Sequence, residues 1–131
     1  MDTKISRKHG EFLYGELTDK IIELAVKVHK KLGSGFIERI YEKALVYELG
    51  KQGIKFISQA IISVSYEEIN LGDQIVDLIV EDKIIIELKS VSEINEIHLA
   101  QILSYLKTTE KKVGLILNFA KQKLEIRRVM N

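Results

Sequence analysis

The sequence predicts an α/β domain: a mixed β-sheet flanked by helices, with elements in the order ααβββαββ. Three observations carry this. Two early stretches repeat apolar residues at helical spacing. Three apolar strand-like stretches follow, the second and third joined by a short polar turn. A further helical stretch separates these from two more strands. A hairpin connection followed by a crossover helix implies a sheet with both antiparallel and parallel pairs.

Residues 1–15 read as a flexible lead-in, polar, with a basic patch at Lys4, Arg7, Lys8 and His9. A single domain then spans 16–131. The first helix is expected to start at Thr18 as N-cap, with Leu17 and Ile22 as a hydrophobic staple. Ile21, Ile22, Ala25, Val26, His29 and Leu32 form its apolar stripe, and Lys27, Lys30 and Lys31 suit its C-terminal dipole. His29 reads as a packed histidine with one hydrogen bond. Gly33-Ser34-Gly35 ends the helix and lacks the spacing and Lys of a phosphate loop. A second helix is expected over 36–52, with Gly53 at C′ and a stripe of Ile37, Ile40, Tyr41, Ala44, Leu45 and Leu49.

Ile54 to Tyr66 reads as a strand with a bulge near Ser58–Gln59. Glu67 to Gly72 reads as the turn, with Asn70 and Gly72 in left-handed positions. Strands over Gln74–Val80 and Lys83–Ser90 follow. Ser92 or Asn95 caps a helix running to about Lys107, with His98, Gln101, Ile102 and Tyr105 on one side. Val113–Asn118 is a buried strand and Leu124–Val129 the last one. Lys121, Lys123, Arg127 and Arg128 form a second basic cluster.

The 131 residues suffice for one domain with a core. Hydrophobic content of 46% with 30% charged residues is globular. The net charge of +1 means that nucleic-acid binding must rest on local clusters of Lys and Arg. No Cys is present, which excludes disulfides and thiolate zinc sites. No apolar run approaches the ~20 residues of a membrane helix, and no signal-peptide core is seen. A cytoplasmic protein is expected.

The chemistry concentrates in Asp77 to Ser90, DLIVEDKIIIELKS. Asp77, Glu87 and Lys89 interrupt strands apolar enough to be buried, where a lone charge costs roughly several kcal/mol. Glu87 and Lys89 are two apart and share a face. An ammonium beside two carboxylates from neighbouring strands suits a divalent cation and an activated water. The plainer alternative is an exposed face on which Glu87 and Lys89 pair with each other. Register separates the two. With a two-residue loop, Val80 meets Lys83, and Asp77 and Glu87 fall on opposite faces. An odd loop or a bulge pairs Val80 with Ile84 and sets Asp77 opposite Glu87.

This pattern resembles the PD-(D/E)XK nuclease superfamily, whose motif is an acid on one strand and E-x-K on the next. Asp77 and Glu87-Leu88-Lys89 match it. Gln101-Ile-Leu-Ser-Tyr105 fits the Q-x-x-x-Y extension of some members, and Glu38 fits the early-helix acid of others. More closely, residues from about Glu16 to Asn131 resemble the small bacterial GxxExxR proteins of that superfamily. That similarity includes ELTDKIIELAVKVHKKLGSGFIERIYEKALVYEL, DLIVEDKIIIELKSV, HLAQILSYLK and GLILNF. In Gly35-Phe36-Ile37-Glu38-Arg39-Ile40-Tyr41, Tyr41 holds the place of the family Arg and Arg39 is displaced by two.

The resemblance implies a restriction-endonuclease-like core and a nuclease dependent on Mg²⁺ or Mn²⁺, acting on DNA ahead of RNA. Asp77, Glu87 and the Leu88 carbonyl would hold the ion, with Glu38 a further ligand. Lys89 would orient the attacking water, and Gln101 and Tyr105 would position the phosphate or the water. Arg39, Arg127 and Arg128 are the candidate nucleic-acid contacts. Two rivals stand beside this: a nucleic-acid-binding module that does not cut, and a homodimeric interaction protein with Tyr47, Phe56, Tyr66 and Phe119 at its contact surface.

Overall fold

A computed structural model describes residues 13–131; the basic patch at Lys4, Arg7, Lys8 and His9 lies outside them. Helices α1 (Gly15–Leu32) and α2 (Glu38–Lys51) come first. Strands β1 (Phe56–Tyr66), β2 (Ile69–Val80) and β3 (Ile84–Lys89), helix α3 (Glu96–Thr109) and strands β4 (Val113–Asn118) and β5 (Glu125–Met130) follow. The sheet order is β1-β2-β3-β4-β5. All neighbours are antiparallel except β3 and β4, which run parallel because α3 carries the chain back between them.

The central strands are covered on both faces, which explains why β3 and β4 are so uniformly apolar. On one face α1 and α2 pack Ile21, Leu24, Tyr41 and Leu45 onto Leu78, Ile86, Leu88 and Leu115. On the other, α3 packs Ile102, Tyr105 and Leu106 onto Ile79, Ile85 and Ile116. Gly114 makes the second layer close: a Cβ there would stand 2.8 Å from Ile102 Cδ1. His29 is buried as the sequence implies, with Nε2 2.8 Å from the Lys121 carbonyl.

Several boundaries differ from expectation. Helix α1 starts a turn early, at Gly15; Thr18 lies inside it and its hydroxyl donates back to the Tyr14 and Gly15 carbonyls. Ile37 is the N-cap of α2 and, like Ile40, is exposed, while Glu42 and Glu48 are buried. Gly53 does take the left-handed C′ position, with φ 71°. Asn95, not Ser92, caps α3, and its side chain accepts from the Ile97 and His98 N–H groups. His98 closes a capping box by accepting from Asn95 N.

The β1–β2 hairpin is longer than predicted. Its turn is Glu67-Glu68, both at positive φ, and Asn70 lies within β2. Gly72, at φ 139°, lies beside a register shift at Val64/Ser65. No register shift occurs at Ser58–Gln59. Instead Gln59 adopts φ 54°, and the ladder lapses between Ser58↔Leu78 and Ala60↔Val76 with register unchanged. Val76 packs with the α3 layer and Leu78 with the α1/α2 layer, although they are two apart. The usual alternation therefore breaks at Asp77.

A candidate active site at the break in strand β2

Glu81 and Asp82 both take positive φ, and Lys83 N–H donates to the Val80 carbonyl. Val80 nevertheless pairs with Ile84, and Leu78 with Ile86. Residues 81–83 thus act as an odd loop, and continuing that register sets Asp77 opposite Glu87. The carboxylates lock onto the opposing backbone: Asp77 N–H donates to Glu87 Oε2 at 3.0 Å, and Leu88 N–H donates to Asp77 Oδ2 at 2.9 Å. Phe119 N–H bonds the Lys89 carbonyl. Odd residues of β3 therefore turn their backbone groups to β4, and Leu88 turns its groups toward Asp77.

Glu87 is only 5% exposed, so the alternative of an exposed Glu87–Lys89 pair does not describe it. Burial, with the Asp77 charge beside it, pushes the Glu87 carboxyl up to about 8. Asp77 is raised as well, first by burial and then by Glu42 and Glu38, against the opposing Leu88 N–H. These two groups are held together at a cost that a cation would relieve.

The helices complete the site. Glu38, in the first turn of α2, accepts from Ser90 N–H at 3.0 Å, just past β3, and its charge reaches both Asp77 and Glu87. A cavity of about 420 Å³ opens there, lined by Phe36, Ile37, Glu38 and Ser90. From α3, Gln101 Oε1 accepts from Lys89 Nζ at 3.3 Å. Tyr105 is buried, and burial with Glu87 and Asp77 nearby pushes its hydroxyl up to about 12, so it stays a neutral donor. Glu38, Asp77, Glu87, Lys89, Gln101 and Tyr105 therefore lie in one neighbourhood. Among the described residues, no three His, Cys, Asp or Glu side chains stand as a ready-made ligand cluster. The donor set still fits a hard divalent cation: the buried Glu87 carboxylate, the half-buried Asp77 carboxylate and a backbone carbonyl, all oxygen.

The arginines divide. Arg39 is exposed in the first turn of α2. Arg127 pairs with Ile116, which pairs with Glu87, so Arg127 shares the face of the site two strands away. Arg128 pairs with Leu115 on the α1/α2 face, and its guanidinium donates to Thr18 Oγ1 and the Leu13 carbonyl. Arg128 thus ties β5 to the start of α1, on the face of the sheet opposite Glu87. Tyr41 is equally structural: its hydroxyl donates to the Gly33 carbonyl and accepts from Phe36 N–H, and its ring stacks on Phe119 at 4.3 Å.

Sequence reasoning missed Glu42. It is buried one helical turn after Glu38, and its carboxylate accepts from Ser58 Oγ and Gln59 Nε2. This holds Gln59 in its left-handed conformation opposite Asp77. The i, i+4 spacing of Glu38 and Glu42 was the available signal.

Among solved structures, the crystal structure of SSO0001 superposes with a TM-score of 0.55 at 15% identity, over 71% of this chain and 49% of that one. The chain thus spans about half the length of that protein, and the likeness concerns the fold. No curated protein matches the sequence. The PD-(D/E)XK nuclease superfamily model matches residues 15–129, which include the hairpin acids, the E-x-K strand and the Q-x-x-x-Y helix. With nearly the whole described chain matched, the protein belongs to the PD-(D/E)XK nuclease superfamily.

Proposed function

We propose that this protein is a metal-dependent nuclease that hydrolyses phosphodiester bonds, with DNA as its substrate. The observation that carries the reading is the Asp77–Glu87 pair, a half-buried and a buried carboxyl held together beside a lysine. A hydrophobic sheet gains nothing from such a pair by itself.

Asp77, Glu87 and the Leu88 carbonyl would hold Mg²⁺ or Mn²⁺, with Glu38 as a further ligand in place of its bond to Ser90 N–H. The ion supplies charge stabilisation and a more acidic water. Lys89 orients the attacking water and steadies negative charge on the phosphoryl oxygens; as the water oxygen bonds phosphorus, one P–O ester bond breaks and the water's proton ends on the leaving oxygen. With Oε1 taken by Lys89, Gln101 donates from Nε2 to a phosphate oxygen. Tyr105, neutral throughout the working range, donates to the phosphate or the water. Arg39 and Arg127, both exposed, meet the flanking phosphates and contribute salt-dependent affinity.

The test is cleavage of labelled single- and double-stranded DNA and RNA by purified protein in Mg²⁺ or Mn²⁺. Lys89→Ala is expected to lower the rate about 10²-fold or more. Equal cleavage by Lys89→Ala, Glu87→Ala and parent assigns the activity to another site. A non-cleaving binding module draws on one observation: both carboxylates are already engaged by backbone N–H groups. Binding without cleavage in either metal would establish it.

A further inference from the structure

The β1–β2 hairpin leaves six large apolar side chains more than half exposed: Ile57, Ile61, Tyr66, Ile69, Leu71 and Ile75. Soluble monomers rarely expose that much apolar surface in one region.

Among the described residues, strand β1 is also an unpaired edge of the sheet, interrupted only at Gln59. It is 11 residues long, lies at the end of the sheet, and contains no charged residue and no Pro. Edge strands are normally kept short or blunted by charge. The opposite edge, β5, meets both conditions, with 6 residues that include Glu125, Arg127 and Arg128. The occupant of β1 is not a polyanion: no Lys or Arg occurs from Phe56 to Asp82, while Glu67, Glu68 and Asp73 are acidic.

The strand is complementary to itself. Its midpoint is Ile61. Two copies of β1 paired antiparallel about Ile61 bring Phe56 of one opposite Tyr66 of the other, and Lys55 opposite Glu67. Lys55 is exposed just before the strand, its backbone fixed by reciprocal hydrogen bonds with Glu81. Glu67 is exposed just after it.

We propose that β1 is the interface between two copies of this chain, joined antiparallel about Ile61 into one continuous sheet. The two-fold axis is then normal to the sheet. Both Asp77–Glu87 sites lie on the same side of it, about four strand spacings or roughly 20 Å apart.

Sedimentation of the full chain from micromolar to submillimolar concentration tests this. The parent is expected to dimerise. Ile61→Lys, which sets two ammonium groups together on the axis, is expected to be monomeric. Lys55→Glu is expected to weaken the dimer about tenfold or more, and Lys55→Glu with Glu67→Lys to restore it. These three side chains are exposed, so circular dichroism should show each variant folded. A parent that stays monomeric, a dimer that survives Ile61→Lys, or a paired exchange that restores nothing would overturn the proposal.

Discussion

Replacing Glu87 by Gln should change how stability depends on pH, and the burial of the carboxyl beside Asp77 sets the sign. The carboxyl is buried against Asp77 and titrates at about 8 in the folded protein, against an ordinary 4.5. The folded state therefore holds its proton more tightly than the unfolded chain. The stability this contributes is fully present below 4.5 and is lost as pH rises through 8. Across that window the loss is about 1.4 kcal/mol per pH unit, or about 2 kcal/mol between pH 6 and pH 8. Asp77, also raised, acts in the same direction. Gln keeps the shape and an oxygen for Asp77 N–H but has no proton to lose. Urea denaturation of parent and Glu87→Gln should show the variant gaining on the parent by about 2 kcal/mol between pH 6 and pH 8. A difference that stays flat across those pH values would refute the placement of Glu87 as a buried, charge-crowded acid.

Two further predictions concern the scaffold. Gly114→Val should cost about 1–3 kcal/mol by overpacking, since even a Cβ stands 2.8 Å from Ile102 Cδ1; pairing it with Ile102→Val should recover part of the loss, read by thermal unfolding. Tyr41→Phe should cost about 1–2 kcal/mol in the same assay, because the fully buried hydroxyl serves both the Gly33 carbonyl and Phe36 N–H.

The strongest signal in the sequence was the one with a geometric consequence. Asp77 and Glu87 share a neighbourhood only if the loop after Val80 is odd, and Val80 does pair with Ile84. The loop was legible as a need, not as a conformation: nothing in Glu81-Asp82 announces two consecutive left-handed residues. The same blindness displaced the hairpin turn. Asn70 and Gly72 are ordinary turn residues, yet the chain turns at Glu67-Glu68 and uses Gly72 beside a bulge. Thr18 looked like a cap because its hydroxyl seeks backbone; it finds the Tyr14 and Gly15 carbonyls within the first turn instead. Glu42 was legible only through its i, i+4 spacing from Glu38: its own partners, Ser58 and Gln59, come from a strand, and a helical carboxylate reads as solvated until such partners are in place. Two of the four aromatics proposed as a contact surface turn inward: Phe119 is fully buried and Phe56 packs against the core. Tyr47 and Tyr66 remain exposed.

The central claim is that Asp77 and Glu87 form one cation site. Calorimetric titration of the parent, Asp77→Asn and Glu87→Gln with Mn²⁺ addresses it without requiring catalysis. The parent is expected to bind with proton release and with affinity rising toward pH 8, as the Glu87 proton becomes easier to displace. Each variant should bind at least about tenfold more weakly. Equal binding by all three proteins, or no uptake by the parent at millimolar Mn²⁺, would contradict the account.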